Sequence, residues 1–241
     1  MCETCGCASQ NQGNKVIDVH KSILSANERQ AKTNQVYFNK LGAVAINMIS
    51  SPGSGKTTLL ERTIDELGNK IKIGVIEGDI ETDRDAERIR AKNVPVVQIT
   101  TGGACHLDAH LVHKGIRTIE NQLTDPSLDL LFIENVGNLV CPAAFNLGEH
   151  IRMILLSVPE GSDKPIKYPK AFISADLFVI TKIDLIDYFD FSIEDSFNYA
   201  KRLNPNLETI ALSAVTGEGL EEWHNYIFNA LASLKHKRIS V

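Results

Sequence analysis

From residue 44 onward, short apolar runs alternate with stretches in which apolar residues recur at helical spacing. The runs are typical of buried strands, and the stretches between them are typical of helices with one apolar face. Strands are predicted near residues 44–49, 71–77, 94–100, 129–135, 152–158, 177–182 and 207–213. Helices are predicted at residues 56–67, 82–92, 105–123, 191–203 and 218–234. This alternation predicts an α/β fold with a mostly parallel sheet of about seven strands and helices on both faces.

The chain ahead of the first strand has a different pattern. Apolar residues are scattered among polar ones over residues 16–40, which predicts one or two amphipathic helices. Residues 8–15 are polar and predict a flexible linker. The chain is therefore expected to divide into an N-terminal motif with its linker, residues 1–15, and a single domain, residues 16–241.

The composition is that of one globular domain, because 241 residues with 43% hydrophobic content can bury a sizeable core. No apolar run approaches the length of a membrane span and none follows a basic start, so neither insertion nor export is expected. The net charge of −5, with lysines and arginines spread along the chain, disfavours nucleic acid as a partner. The chain is expected to be cytoplasmic, and in such a chain the odd number of cysteines, five, argues against a disulfide framework.

A glycine-rich segment, Ser-Ser-Pro-Gly-Ser-Gly-Lys-Thr-Thr over residues 50–58, joins the first strand to the next helix. This arrangement predicts the phosphate-binding loop of a P-loop NTPase, because backbone N–H groups and the helix N-terminus can together hold a β-phosphate. Lys56 is expected to reach the β- and γ-phosphates, and the Thr57 hydroxyl to hold Mg²⁺. Ser50 stands where the usual pattern has a glycine. The predicted phosphate contacts are Gly53, Ser54, Gly55, Lys56, Thr57 and Thr58.

Two later segments indicate which base is bound. One strand ends in Thr-Lys-Ile-Asp, and the Asp184 carboxylate can accept hydrogen bonds from N1–H and the N2 amine of guanine. The aliphatic stem of Lys182 can lie over the purine face. Ser213 and Ala214 follow another strand, where a backbone N–H can meet guanine O6. Adenine lacks both donors, so the predicted nucleotide is GTP.

Acidic residues at two strand ends are the candidates for Mg²⁺ and for the attacking water. Asp79 is the predicted ligand to the metal and the water, while Asp83 could serve there or cap the next helix. Glu134 is expected to hold Mg²⁺ through water and completes a catalytic set with Lys56 and Asp79. The Gly137 N–H is placed to sense a γ-phosphate. The sequence has no evident arginine finger or water-orienting glutamine, so intrinsic hydrolysis is expected to be slow.

Three cysteines near the chain start, Cys2, Cys5 and Cys7, form a candidate metal site. Three thiolates so close together can clamp one soft or borderline ion, with the α-amine as a fourth ligand. A planar set of three sulfurs and a nitrogen suits Ni²⁺ or Cu²⁺, whereas a tetrahedral set suits Zn²⁺. The alternative is an exposed thiol cluster that only oxidises.

A second metal site is predicted from two separate segments. Cys105 and His106 open the helix predicted at 105–123, which puts His110 one turn beyond His106 on the same face. Cys141 follows on the segment expected to respond to a γ-phosphate. These four residues form a predicted Ni²⁺ or Zn²⁺ site whose affinity depends on the bound nucleotide, and metal then alters nucleotide affinity in return. The alternative is that Cys105 and Cys141 are small buried hydrophobic residues.

Several motifs occur together in the chain: Met-Cys-x-x-Cys-Gly-Cys, the phosphate loop, Glu-Gly-Asp, Thr-Gly-x-x-Cys-His, Glu-Asn-Val-Gly-Asn-Leu-Val-Cys-Pro and Gly-Ser-Asp-Lys-Pro-Ile-Lys-Tyr-Pro. Over nearly the whole chain, this set resembles the hydrogenase nickel-incorporation GTPases. The resemblance implies a SIMIBI-class G domain at residues 16–241 that dimerises on binding GTP and helps insert nickel into [NiFe]-hydrogenase. The family's switch-associated metal site matches Cys105, His106 and Cys141, and its optional nickel site matches Cys2, Cys5 and Cys7.

The resemblance also implies two protein partners, a companion hydrogenase-maturation nickel protein and the hydrogenase large-subunit precursor. This chain lacks the histidine-rich stretch with which some members store nickel, so bulk storage is not expected. The related urease accessory GTPases carry a Cys-Pro-His setting that is absent here. Lys164 and Lys167 could contact nucleotide or a second subunit, or lie in a surface loop.

Three functions follow from these patterns. The first is a GTP-hydrolysing nickel metallochaperone. The second is a binding module in which Zn²⁺ regulates the switch and nucleotide governs docking, and the third is a plain signalling GTPase with cysteines of no function.

Overall fold

Parallel strands form one continuous sheet at the centre of the protein. The computed structural model describes residues 7–79, 84–125 and 127–239. Within those ranges the strands are β1 (Val44–Ser50), β2 (Ile73–Asp79), β3 (Val96–Thr100), β4 (Leu130–Glu134), β5 (Ile151–Ser157), β6 (Leu177–Thr181) and β7 (Glu208–Ala211). Their order across the sheet is β3-β2-β4-β1-β5-β6-β7, and every neighbouring pair is parallel. The predicted α/β fold of the P-loop NTPase type is confirmed.

Helices cover both faces of this sheet. They are α1 (Cys7–Leu41), α2 (Lys56–Leu67), α3 (Arg84–Arg90), α4 (Ala109–Gln122), α5 (Lys164–Lys167), α6 (Pro169–Ile173), α7 (Ile193–Leu203) and α8 (Leu220–Ile239). In the part of the chain that the structure describes, 3₁₀ turns lie at Pro142–Ala144, Val158–Glu160 and Ile183–Tyr188. None of the helices in the described ranges combines the length and apolarity that crossing a bilayer requires.

The central strands are mostly apolar because both of their faces are covered. All residues of β1 and β4 are buried, as expected for a parallel sheet between helical layers. Side chains alternate between the layers: Phe132 packs with Trp223 of α8, and the next residue, Ile133, packs with Phe38 and Ile116 on the opposite face. This packing fixes the carboxyl ends of the strands at one edge, where ligands of such folds gather.

Residues 8–15 lie within helix α1, contrary to the predicted flexible linker. The same helix continues through residues 16–40, so the predicted one or two helices are one. Extending an existing helix costs far less than starting a new one, and alanine and glutamine favour the helical state even in a polar segment. Cys2 and Cys5 lie outside the described residues, and Cys7 is the first residue of α1.

Helix α4 begins at Ala109, whereas the sequence predicts a start at residue 105. Asp108 has extended backbone angles and its side chain accepts a hydrogen bond from the Leu111 N–H, which caps the helix start. Residues ahead of this cap form a turn in which Gly102 and Gly103 have φ angles of 61° and 98°. This left-handed region is accessible to glycine, so the chain turns sharply before the helix starts.

Candidate functional site

The loop between β1 and α2 has the shape that the sequence predicts for phosphate binding. Gly53 and Gly55 have φ angles of 76° and 93°, and Gly55 is the N-cap residue directly ahead of α2. Positive φ angles at these two positions let the backbone curl around the space in front of the helix N-terminus. The loop therefore faces the helix N-terminus and the ends of the neighbouring strands.

Ser50, which stands in place of the usual glycine, anchors the inside of this loop. Its side chain is fully buried. The Ser50 Oγ accepts hydrogen bonds from Lys56 Nζ at 2.8 Å and from Ser54 Oγ at 2.5 Å. The serine thus positions the lysine that is expected to reach the phosphates.

Two carboxylates meet beside the loop. Glu77 and Glu134 are aligned partners on the adjacent strands β2 and β4, and both are almost completely buried. The Thr57 hydroxyl donates to Glu134 Oε1 at 3.0 Å, and Lys56 Nζ lies 4.0 Å from the same oxygen. The Oε2 atoms of both glutamates are buried and accept no hydrogen bond from any described residue. One lysine therefore faces two acidic groups.

The pair has the electrostatics of a cation site. Burial, and next the facing Glu134 carboxylate, raise the pKa of Glu77 well above its usual range. Burial raises the pKa of Glu134 as well, while Lys56 opposes this shift. Two buried carboxylates next to a hydroxyl are hard oxygen ligands of the kind that Mg²⁺ prefers. These residues fit a divalent cation.

Glu77 is not among the residues predicted from the sequence, although a signal for it is present. Two neighbouring strands, β2 and β4, both carry Ile-Glu near their carboxyl ends, at residues 76–77 and 133–134. Matching acidic ends on adjacent parallel strands bring two carboxylates together. The order of the strands is needed to recognise this match, and the sequence does not give it directly.

A cavity of about 390 Å³ opens in front of the loop. Predicted residues that line it are Gly53, Gly55, Lys56, Thr57, Thr58, Asp79, Glu134, Gly137 and Lys182. It is also lined by Asp85 and Arg88, which are not among the predicted residues. The Arg88 guanidinium pairs with Glu61 and, at 3.1 Å, with Asp85. Asp83 lies outside the described residues.

Gly137 lies directly against the phosphate loop. A Cβ atom at this position would come within 2.8 Å of Pro52 Cγ and 3.1 Å of the Pro52 backbone. Only a glycine therefore allows the segment after β4 to approach the loop this closely. A group bound in the loop would therefore lie next to this segment and could displace it.

The residues predicted to recognise the base lie at the ends of the adjacent strands β6 and β7. Lys182 has a left-handed φ angle of 59°, and its Nζ donates to the Gly53 carbonyl at 2.7 Å. The Asp184 Oδ1 atom is buried and makes no hydrogen bond with a described residue. The Ser213 N–H donates to the Glu218 carbonyl at 2.9 Å, so its neighbour Ala214 is left as the candidate backbone donor to a base.

Cys105, His106 and Cys141 come together at a second place. One ligand atom from each lies within 4.8 Å of the other two, and all three side chains are half-buried. The distance from Cys105 Sγ to His106 Nδ1 is 3.8 Å. His106 stacks on Phe145 with ring centroids 4.0 Å apart. The sequence prediction of these three as one cluster agrees with their placement.

His110 does not join this cluster. It lies in α4 and is exposed, whereas His106 precedes the helix. The prediction that the two histidines share one helical face is therefore wrong.

Burial lowers the pKa of His106, which favours the neutral imidazole that binds metals. The Cys105 thiol beside it raises the pKa of Cys141. Two thiols and an imidazole fit a borderline ion such as Ni²⁺ or Zn²⁺, with room for a further ligand.

Lys164 and Lys167 are the first and last residues of the short helix α5 and do not line the cavity. Lys167 Nζ pairs with Asp163 at 2.6 Å, and Lys164 Nζ lies 3.9 Å from Glu160 and over the Tyr168 ring. A role for either lysine toward nucleotide or a second subunit stays a prediction.

Comparisons with known proteins agree with this geometry. The family model described as "CobW/HypB/UreG, nucleotide-binding domain" matches residues 44–211. The hydrogenase maturation factor HypB of Azotobacter vinelandii is 51% identical over 213 residues, which are 88% of this chain and 69% of the relative. The probable hydrogenase maturation factor HypB of Methanocaldococcus jannaschii is 44% identical over 91% of this chain and 98% of the relative.

Two solved structures are similar over most of the chain. A crystal structure of the hydrogenase maturation factor HypB from Archaeoglobus fulgidus has a TM-score of 0.80 and 40% identity, covering 86% of this chain and all of that one. The structure of HypB from Helicobacter pylori in complex with nickel has a TM-score of 0.82 and 39% identity, covering 86% and 96% of the two chains.

Proposed function

The chain belongs to the CobW/HypB/UreG family, within which its relatives are HypB proteins of the SIMIBI class, and we propose that it is a GTPase that captures and releases Ni²⁺ during maturation of [NiFe]-hydrogenase. The observation that carries this proposal is the placement of the Cys105, His106 and Cys141 cluster. Cys141 follows the same segment that carries Glu134 and Gly137 past the phosphate loop. A change in the nucleotide can therefore move a metal ligand.

GTP is the substrate of the proposed reaction. The loop amides and Lys56 hold its phosphates, and water attacks the γ-phosphate in line with the leaving oxygen. Thr57 and Glu134, together with Asp79 and the newly found Glu77, would hold Mg²⁺, which supplies positive charge to the phosphates when bound. Lys56 and the loop amides stabilise the charge that develops in the transition state.

Turnover is expected to be slow. Arg88 lines the cavity, but its guanidinium is paired with Glu61 and Asp85. These two ion pairs hold the guanidinium, so it is not free to contact the phosphates. An unassisted GTPase that lacks an arginine at the transition state has a low intrinsic rate. A slow rate suits a protein whose nucleotide state sets a binding affinity.

Guanine is the expected base because Asp184 keeps a buried acceptor without a hydrogen bond from the described residues. Such an acceptor favours a base that offers two donors and disfavours one that leaves it unpaired. Lys182 crosses from β6 to the phosphate loop and can lie against the purine. Ala214 would supply the backbone N–H to O6.

Ni²⁺ is cargo in this proposal and undergoes no chemistry. Cys105, His106 and Cys141 would bind it, and the Helicobacter pylori relative was solved in complex with nickel. Cys2, Cys5 and Cys7 are proposed as a second, independent nickel site. The proposed partners are a second copy of the chain bound with GTP, a companion nickel protein and the hydrogenase large-subunit precursor, all in the cytoplasm.

Two alternatives use the same residues. Two thiols and an imidazole also suit tetrahedral Zn²⁺, which favours a zinc-regulated docking module. A urease-type role is the other alternative, since a relative from Helicobacter pylori is named as a hydrogenase/urease maturation factor. Nucleotide-dependent Ni²⁺ affinity distinguishes the nickel carrier from the zinc module. Loss of hydrogenase or of urease activity in cells without the protein distinguishes the two nickel pathways.

The proposal is tested on the full chain with Cys2, Cys5 and Cys7 changed to serine, so that only the second site is measured. Ni²⁺ affinity is determined with GDP and with a non-hydrolysable GTP analogue. We expect the two affinities to differ. In Cys141→Ala, Ni²⁺ binding at this site should be lost, and the difference between the nucleotide states with it. Equal affinities in the two nucleotide states would exclude nucleotide-gated release.

A further inference from the structure

A buried amide connects the nucleotide cavity to the metal cluster. Asn135 follows Glu134 at the end of β4, is 1% exposed and lines the cavity. Its Oδ1 accepts two hydrogen bonds, from the Val136 N–H and the Leu107 N–H, both at 3.0 Å. Leu107 is the residue directly after His106. One side chain thus holds the backbone next to a metal ligand.

The other end of the same amide reaches the second part of the cluster. The Asn135 Nδ2 donates to Asn47 Oδ1 at 3.2 Å, and the Asn47 Nδ2 donates to Glu149 Oε1 at 3.1 Å. The Glu149 Oε2 accepts the Leu147 N–H at 2.7 Å. Asn47 is fully buried in β1, so this chain of hydrogen bonds runs through the sheet.

Arg152 extends the chain to the residues that follow Cys141. Its guanidinium pairs with Glu149 at 2.8 Å and donates to the carbonyl groups of Ala143 at 3.3 Å and Phe145 at 3.0 Å. Phe145 is the ring that stacks on His106. Hydrogen bonds therefore link both segments of the metal cluster to Asn135.

We infer that Asn135 is the positioning residue through which the bound nucleotide sets the geometry of the metal cluster. The inference rests on the proposed function, because it explains how GTP and GDP would change Ni²⁺ affinity. A γ-phosphate draws in the segment of Glu134 and Gly137, and Asn135 moves with it. Because the Asn135 Oδ1 accepts a hydrogen bond from the Leu107 N–H, this movement shifts Leu107, and with it His106, relative to Cys141. The hydrogen bonds of Asn135 thus form a relay from the nucleotide cavity to the metal cluster. A buried network of this kind strongly resists the loss of one member, since each remaining group is left unpaired.

A second buried asparagine joins the same two segments by hydrogen bonds and does not line the nucleotide cavity. Asn34 of α1 is fully buried, and its Nδ2 donates to the carbonyl groups of Ala109 at 2.7 Å and Leu147 at 2.9 Å. Its Oδ1 lies 3.0 Å from His113 Nδ1. Because Asn34 does not line the cavity, it supplies a matched control: a residue that also holds the two segments of the cluster together but does not face the nucleotide.

The experiment compares Ni²⁺ dissociation constants in GDP and in a non-hydrolysable GTP analogue, again with Cys2, Cys5 and Cys7 changed to serine. The wild-type ratio of the two constants is expected to lie in the range of roughly 5- to 150-fold that is typical of allosteric coupling. Asn135→Ala should bind Ni²⁺ but bring the ratio to about one. Asn34→Ala should weaken binding in both states and keep the wild-type ratio.

Each result decides a different point. A wild-type ratio that persists in Asn135→Ala would overturn the role of Asn135 while leaving nucleotide-gated binding intact. A wild-type ratio of one would overturn gated binding itself, and the relay with it. Loss of the ratio in both asparagine variants would show that any loosening of the cluster removes coupling, and would also overturn the assignment.

A second measurement needs no substitution and so does not depend on a variant that folds. Hydrogen exchange of the Leu107 amide is followed in the wild-type protein with each nucleotide. We expect its exchange rate to change between GDP and the GTP analogue, because Asn135 Oδ1 is its acceptor. An unchanged rate at Leu107 would contradict the relay even if Ni²⁺ affinity depends on the nucleotide.

Discussion

The nucleotide cavity and the metal cluster are built in opposite ways. The phosphate loop, with Ser50 and Lys56 buried inside it, is one continuous segment held between a strand and a helix. The predicted metal cluster of Cys105, His106 and Cys141 joins two loops, and its three side chains are half-buried. A site made from one segment is formed whenever that segment folds. A site shared by two loops depends on what holds the loops together, which makes it the part that a second ligand can adjust.

The largest expected effect breaks the first region and leaves the second intact. Lys56→Ala removes the ammonium group beside the buried glutamate pair and, in the proposed reaction, a donor to the transition state. We expect GTP hydrolysis to fall by at least about 10²-fold, the loss seen when one such donor is removed. Single-turnover hydrolysis measures this, and Ni²⁺ binding with GDP serves as the control. Hydrolysis at the wild-type rate would exclude the catalytic role of Lys56.

The converse change breaks the second region. Cys105→Ala removes one of three metal donors, and Ni²⁺ affinity at the cluster should fall by more than the 10- to 100-fold that follows loss of an outer-shell partner. Isothermal titration with Cys2, Cys5 and Cys7 changed to serine gives the affinity. His110→Ala is the matched control, because His110 is exposed and outside the cluster. Equal losses in the two variants would mean that the cluster is not the binding site.

A smaller effect concerns the pH dependence of the cavity. The pKa of Glu77 is raised in the folded protein, so the folded state holds a proton that the unfolded state loses above the ordinary pKa. Stability of the ligand-free protein should therefore be full below that ordinary pKa and fall as the pH rises, by at most about 1.4 kcal/mol per pH unit for one proton. Urea unfolding at several pH values measures this slope.

Glu77→Gln is the matched variant for that slope, because glutamine keeps the shape and removes the titration. We expect a flatter dependence of the unfolding free energy on pH in this variant. Saturating Mg²⁺ with nucleotide should flatten the wild-type slope in the same way, since a cation replaces the proton. Equal slopes in wild type and Glu77→Gln would show that another group titrates.

The smallest expected effect sharpens the first region from inside. Ser50→Ala removes the Oγ that accepts from Lys56 and Ser54, at a cost of roughly 1.5–3 kcal/mol in unfolding free energy, because one of the two donors is a charged ammonium. Ser50→Gly restores the usual loop pattern and removes the same oxygen. If both variants unfold like wild type, neither the hydroxyl nor the volume of the Ser50 side chain contributes to stability. Chemical denaturation of the two variants decides this.

Much of the first region could be predicted from the sequence because its residues are close together along the chain. Gly53, Gly55 and Lys56 announce the loop by their spacing alone, and Lys182 lies where its strand ends. Glu77 was missed because its significance depends on β2 lying beside β4. That neighbour relation is a property of the sheet order, which local periodicity does not contain.

The second region was predicted only in part. Thiol and imidazole chemistry identified Cys105, His106 and Cys141, but the helix start was placed four positions too early, at 105 instead of Ala109. That error brought His110 into the site. Asp108 carries the correcting signal, since an aspartate ahead of an apolar helical pattern favours a cap. The relay through Asn135 and Asn47 joins residues 88 positions apart, and no sequence pattern at one end indicates the other.

Gly148 shows where the physical unit of this protein begins. It has a φ angle of 88°, and a Cβ atom placed on it would lie 2.2 Å from the Ala31 carbonyl oxygen of α1. The loop that follows Cys141 is thus seated on a helix that precedes residues 44–211, the segment matched by the family model. A fragment cut at residue 44 would retain the phosphate loop and all three cluster ligands, yet it would lose the surface on which one of them is supported. For this chain, the boundaries drawn by family likeness and by mechanical support do not coincide, and any minimal version designed for transplantation into another protein should begin inside α1.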